Sequence, residues 1–155
     1  MTRQTLILAV AVYVGGAADA GGKIDEKGEL KRFEGTWLSL SSERNGKPAP
    51  KAEATSLMIT FKGNGFTMGE VGKDRTLKGT MKIDPSKTPK EFAWTAEVLE
   101  KKRTTIGIYV FEGDTLKVCY VHEGGQRPKT FSTKDGTDEQ AVFLTFFKRQ
   151  PGKAD

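Results

Sequence analysis

From residue 76 to residue 83 the chain alternates without a slip. Leu77, Gly79, Met81 and Ile83 share one phase, and Thr76, Lys78, Thr80 and Lys82 the other. Successive side chains on a strand point to opposite faces, so a period of two predicts a β-strand with one dry and one wet face. Seven further segments read as strands, at residues 36–42, 56–62, 66–69, 91–96, 104–111, 115–121 and 141–148. In the second, Leu57, Ile59 and Phe61 alternate with Met58 and Thr60; in the fourth, Phe92 and Trp94 share a phase. Turn residues separate the segments: Asn45-Gly46 with Pro48 and Pro50, Asn64-Gly65, Asp84-Pro85 with Pro89, Lys101-Lys102-Arg103, and Glu112-Gly113-Asp114. Asn-Gly between two alternating runs is a strong hairpin signal, because both residues tolerate positive φ.

Short strands spaced by turns argue for a sandwich or a barrel. No helical periodicity intervenes, which disfavours a parallel sheet. Tight hairpins favour neighbours in simple up-and-down order, and closure of eight such strands removes exposed edges while leaving room for one small ligand. The expected fold is all-β: an antiparallel up-and-down eight-stranded barrel. One helical turn is expected before it at residues 29–33, where Leu30 and Phe33 lie three apart on one face.

The first twenty residues differ in kind. Arg3 precedes an apolar run over residues 6–14, and Ala18-Asp19-Ala20 reads as a small-residue cleavage site. Together they predict a secretory signal peptide at 1–20, a mature chain starting at Gly21, and a periplasmic or extracellular protein. A membrane anchor is the competing reading, but the run is shorter than the roughly 20 apolar residues a span requires. No later stretch is long enough to be transmembrane. Residues 21–28 are polar and expected to be flexible, 29–149 to form the barrel, and 150–155 to be a flexible tail.

Composition narrows the chemistry. A length of 155 residues suits one domain. The single cysteine, Cys119, excludes an intramolecular disulfide, so packing and strand pairing must hold the fold. Cys119 and the only histidine, His122, lie three apart on one strand and therefore on opposite faces, which predicts a structural thiol rather than a nucleophile. The net charge of +5 comes from 25 basic and 20 acidic residues scattered along the chain. That scatter argues against a nucleic-acid partner, which would gather basic and aromatic groups on one groove. It leaves a solvated surface with weak attraction to anionic polysaccharide or lipid. No histidine or thiolate cluster can be assembled for a metal, and no nucleophile elbow or phosphate-cradling loop occurs. The carboxylate pairs Asp25/Glu26 and Asp138/Glu139 fall in expected loops. No catalytic residue, metal site or cofactor is expected, and the reading is non-enzymatic.

Two groups stand as candidate binding residues. Trp37, Met81, Phe92, Trp94, Tyr109 and Tyr120 would either line an apolar cavity or simply fill the barrel. Tyr109 is out of phase with Ile108 and Val110, which leaves its direction open. Arg127, in Arg127-Pro128-Lys129-Thr130-Phe131, would either meet an acidic ligand head at the barrel mouth or remain solvated.

Gly35-Thr36-Trp37, directly after the helical turn, resembles the G-x-W signature of lipocalins and their calycin relatives. The resemblance implies that Trp37 packs across the closed end of the barrel, with Arg149 as its cationic partner and Gly35 at the strand start. A wider set is similar to an uncharacterised lipocalin-like domain family abundant in planctomycete bacteria. It comprises residues 30–37, Gly107-Ile108-Tyr109, the run from Gly113 to Cys119, and residues 127–131, spanning about residues 29–149. It implies a barrel and export, and it brings no activity or ligand. The expected function is a binding module for a small, partly apolar ligand. The alternative is an envelope protein-interaction or inhibitor module acting through its loops or outer surface.

Overall fold

The computed structural model describes residues 25–152. The expected signal peptide and the first part of the expected flexible segment lie outside the described residues. The elements are α1 (Glu26–Phe33), β1 (Gly35–Arg44), β2 (Lys47–Pro48), α2 (Lys51–Ala54), β3 (Leu57–Lys62), β4 (Gly65–Glu70), β5 (Thr76–Asp84), β6 (Lys90–Val98), β7 (Lys101–Glu112), β8 (Thr115–Val121) and β9 (Val142–Arg149).

All eight strands expected from the alternation are present, and they close into an antiparallel up-and-down barrel. From β3 to β9 each strand pairs with its neighbour in chain order, β1 pairs with β3, and β9 returns to β1. The seam runs from Trp37 opposite Arg149 to Arg44 opposite Phe143, with a register shift between Ser39 and Ser41. The two-residue β2 folds back on the end of β1 through Asn45 and Gly46, both at positive φ. On β5 the expected alternation appears as inward Met81 and Ile83, both buried, between exposed Thr76, Lys78, Thr80 and Lys82.

The antiparallel order gives the barrel two unlike ends. At one end lie α1, the start of β1, the end of β9, and the β3–β4, β5–β6 and β7–β8 turns. At the other lie α2, the β4–β5 and β6–β7 turns, and the long connection over residues 122–141. Helix α1 starts three residues earlier than the sequence pattern suggests, within the segment expected to be flexible. Asp25 is its N-cap: the side chain accepts from the Lys27 N–H at 3.2 Å, and the Asp25 carbonyl accepts from Glu29 N–H at 2.9 Å. This pair of acids therefore belongs to a helix start rather than to a loop.

Two inward glycines let the barrel interior fill. A Cβ at Gly107 would stand 2.3 Å from the Cys119 carbonyl and 2.7 Å from the Phe92 ring; one at Gly79 would stand 2.5 Å from the Phe66 ring. Phe66 and Phe92 occupy the room that these positions leave.

The middle of β7 and the second half of β8 are covered on both faces. Tyr109, Leu116 and Val118 point into the barrel, while Ile108, Cys119 and Val121 point outward, and each of the six is at most 1% exposed. The outward set is covered by the 122–141 connection, whose Ser132 carbonyl lies 3.8 Å from the Cys119 sulfur. Asn45 ties that connection down by donating to the Thr137 carbonyl and accepting from Val142 N–H, both at 3.0 Å. Tyr109 thus points inward despite its phase relative to Ile108 and Val110, because Ile108 is buried on the outer face, under the connection, and Val110 is half-buried there.

Candidate functional site

The half of the barrel next to α1 is solid. Phe33 from α1 is fully buried, with its ring centroid 5.3 Å from Phe61, 4.9 Å from Tyr109 and 4.8 Å from Phe111. Its carbonyl accepts from the Trp37 indole N–H at 2.7 Å. The Arg149 guanidinium carbon sits 4.3 Å from the centre of the Trp37 ring, and the same group donates to the carbonyls of Arg32 and Glu34. One residue thereby fastens helix, first strand and last strand together. Glu29, only 4% exposed, accepts from Lys90 at 2.7 Å and from the Tyr109 hydroxyl at 3.2 Å, and pairs with Arg32 at 3.3 Å. A buried carboxylate held by three donors anchors α1 as a stopper. Burial, with the Glu29 charge beside it, pushes the Tyr109 hydroxyl pKa well above its usual value.

The other half encloses a cavity of about 190 Å³. Phe66, Trp94, Ala96 and Phe147 form its floor and inner wall, and Tyr120 lies on one side. Leu57, Met68, Leu77 and Val98 surround the entrance, together with Arg103, Thr105 and His122. The polar groups fall in rows set by strand register. Thr105 is directly opposite Trp94 across the β6–β7 pair, and Arg103 is opposite Ala96, one inward position nearer the mouth. Thr105 Oγ1 lies 3.0 Å from His122 Nδ1, continuing the Trp94 row onto the end of β8. Arg103 is more than half exposed and is 3.7 Å from Glu123. Trp94 carries the one buried side-chain nitrogen without a hydrogen-bond partner among the described residues, its indole Nε1. An orphaned buried donor is costly, and this one lies within the wall, with less than 1 Å² of accessible surface.

Two pKa directions describe this wall. Burial raises the Tyr120 hydroxyl, with the neighbouring Thr145 hydroxyl acting the other way. The part of His122 turned toward the barrel is desolvated, which lowers its pKa and favours the neutral ring. Tyr120 also stacks on Phe143 at 5.2 Å with an interplanar angle of 13°.

The six aromatic and methionine candidates therefore divide. Trp94 and Tyr120 line the cavity. Trp37, Met81, Phe92 and Tyr109 belong to the packed core instead, with Trp37 at the closed end. Arg127 is not at the mouth. It lies on the outer wall, where it donates to the carbonyls of Phe92 and Gly107 and pairs with Glu91 at 3.4 Å. Its loop runs back along the barrel to cover Ile108 and Cys119, which carries Arg127 away from the opening. Arg103, Thr105 and His122 are not among the candidate binding residues read from the sequence. Extending the Gly107 and Tyr109 phase back along β7 would have found the first two, since inward positions recur at every second residue.

Cys119 is buried and lies outside the cavity, and burial pushes its thiol pKa up to about 11. Among the described residues no group of three histidine, cysteine or carboxylate side chains is arranged to hold a metal ion, and no helix is long and apolar enough to cross a membrane. Comparison with protein-family models, with curated proteins and with solved structures finds no match.

Proposed function

We propose that this protein is an exported, non-enzymatic binding module that takes a small, partly apolar molecule into the open half of its barrel. One observation carries the reading: a cavity with aliphatic and aromatic walls persists inside a frame whose other half is packed solid. A barrel needing only stability would gain by filling that space, because apolar surface left facing it forgoes burial worth about 25 cal/mol per Å². The non-enzymatic part rests on the cavity chemistry. Its only titratable groups are Arg103, Tyr120 and His122, and the one thiol lies on the other side of the wall. Export is supported by Arg3, the uncharged run over 6–14 and Ala18-Asp19-Ala20. The lipocalin-like resemblance is part of the same proposal, supported by the closed end where Gly35-Thr36-Trp37 meets Arg149.

Native mass spectrometry after exposure to a small-molecule library, paired with displacement of an environment-sensitive dye, tests the binding reading. One ligand per chain, displacing the dye, is the expected result. Failure of every apolar probe to bind, together with stoichiometric capture of an envelope protein, would replace this reading with an interaction or inhibitor module. Export is checked separately by N-terminal sequencing of protein recovered outside the cytoplasm, which should begin at Gly21.

A further inference from the structure

We infer that the bound molecule is a single-chain amphiphile longer than the cavity can hold. Its apolar end fills the cavity, and the rest of the chain lies in a groove that leaves the mouth between the β4–β5 and β6–β7 turns. The inference rests on the binding reading above and adds to it the ligand's chemistry and an outer subsite.

The cavity wall continues beyond the mouth. A groove of about 400 Å³ runs over the ends of β4, β5 and β6, and Leu57, Met68, Leu77 and Val98 line both it and the cavity. Four shared apolar side chains make one continuous surface from inside to outside. Farther out the groove is bordered by Gly69, Arg75 and Leu99.

Capacity sets the length. An engineered apolar cavity of about 150 Å³ accommodates the six carbons of benzene, so a space of about 190 Å³ takes about seven or eight non-hydrogen atoms. A longer chain has to leave through the mouth, where the groove offers it apolar surface. Polarity sets the direction. Phe66, Trp94 and Phe147 form the floor, while Arg103, Thr105 and His122 stand at the entrance. A hydrated group entering first would lose water without gaining a partner, so the apolar end goes in and the polar end stays outside.

A second observation comes from the tip of the β6–β7 turn. Leu99 and Glu100 connect the paired residues Val98 and Lys101, and both take positive φ, 51° and 63°. Asn-Gly suits such a turn, and Asn45-Gly46 serves the β1–β2 turn at φ 50° and 77°. Leucine is disfavoured there by its backbone conformation, and also by solvation, since it is 82% exposed. Both costs fall on the side chain that carries the apolar lining outward from Val98. Departures of this kind concentrate at functional sites. An aliphatic chain lying over Leu77, Val98 and Leu99 would cover the exposed surface.

The test is the series hexanol, octanol, decanol and dodecanol, titrated by displacement of an environment-sensitive dye and by tryptophan fluorescence. Affinity should rise about fourfold per methylene up to roughly eight carbons, where each added group is fully buried. Beyond that the rise should be about twofold per methylene, because one side of the chain faces water, which makes dodecanol about sixteenfold tighter than octanol. Leu99→Asn fits the left-handed turn better than leucine does, so folding is not at risk. It should cut the gain from octanol to dodecanol to about fourfold or less and leave hexanol binding unchanged. Affinity that levels off at octanol, or a dodecanol gain that survives Leu99→Asn undiminished, would overturn this inference and leave the cavity reading intact. Failure of all four alcohols and of toluene to bind would overturn both.

Discussion

The two halves of this barrel are made from the same strands and behave as different materials. Toward α1, Phe33, Phe61, Tyr109 and Phe111 meet edge to face, Trp37 packs tilted against Phe111, and Glu29 and Arg149 tie the helix to the wall. Toward the other end, Leu57, Met68, Leu77 and Val98 are only half-buried and surround empty space. The contrast assigns stability to one end and recognition to the other. Losing contacts at the closed end should cost folding; changing the open end should alter binding with little effect on folding.

That division can be broken by substitution, from the largest effect downward. Trp37→Ala removes a fully buried ring, its hydrogen bond to the Phe33 carbonyl and its contact with Arg149. A loss of about 3–5 kcal/mol is expected in urea denaturation; a loss below 1 kcal/mol would show that the stopper does not carry stability. Gly107→Ala forces a methyl group against the Cys119 carbonyl and the Phe92 ring. It should cost about 1–3 kcal/mol, with part of the loss recovered by adding Phe92→Leu, because overpacking is relieved when the colliding ring shrinks. Arg149→Gln keeps the backbone pairing with Trp37 and removes the guanidinium stack. About 1 kcal/mol should be lost, read as a lower melting temperature. Leu77→Phe places a ring into the cavity entrance from a half-buried position. Stability should move by less than about 0.5 kcal/mol, while dye binding disappears. A large destabilisation there would mean that the open half is as tightly packed as the closed one.

The regular parts of the fold were legible because the physics that writes them is local. Period-two alternation marks each strand, and Gly113-Asp114 marks the β7–β8 turn, whereas the β3–β4 turn falls on Gly63-Asn64, one residue before the Asn64-Gly65 signal. The alternation also places Phe92 and Trp94 inside before any contact is known. Reading failed where a residue answers to something distant. Tyr109 looked out of phase because Ile108 and Val110 are apolar as well, and Ile108 is apolar because a connection from beyond β8 lies on it. Arg127 looked free for a ligand because nothing nearby in sequence accepts from it; its acceptors are the carbonyls of Phe92 and Gly107, 35 and 20 residues away. The two-residue β2 and the four-residue α2 are too short to leave a periodic trace and exist because β1 is there to pair with or pack against.

What the sequence determined by itself is the material of the wall: eight strands, the inward and outward faces of those with polar and apolar alternation, their order through tight turns, and a frame held without any disulfide. Each of these depends on neighbours within a few residues. Where along the barrel axis the large side chains fall was decided only by the tertiary structure. That position depends on strand register and on closure of β9 against β1, which together stack the rings around Phe33 and leave the space beyond Trp94 open. The same inward alternation writes a solid core at one end and a binding cavity at the other, because alternation sets which way a side chain points and register sets what it meets.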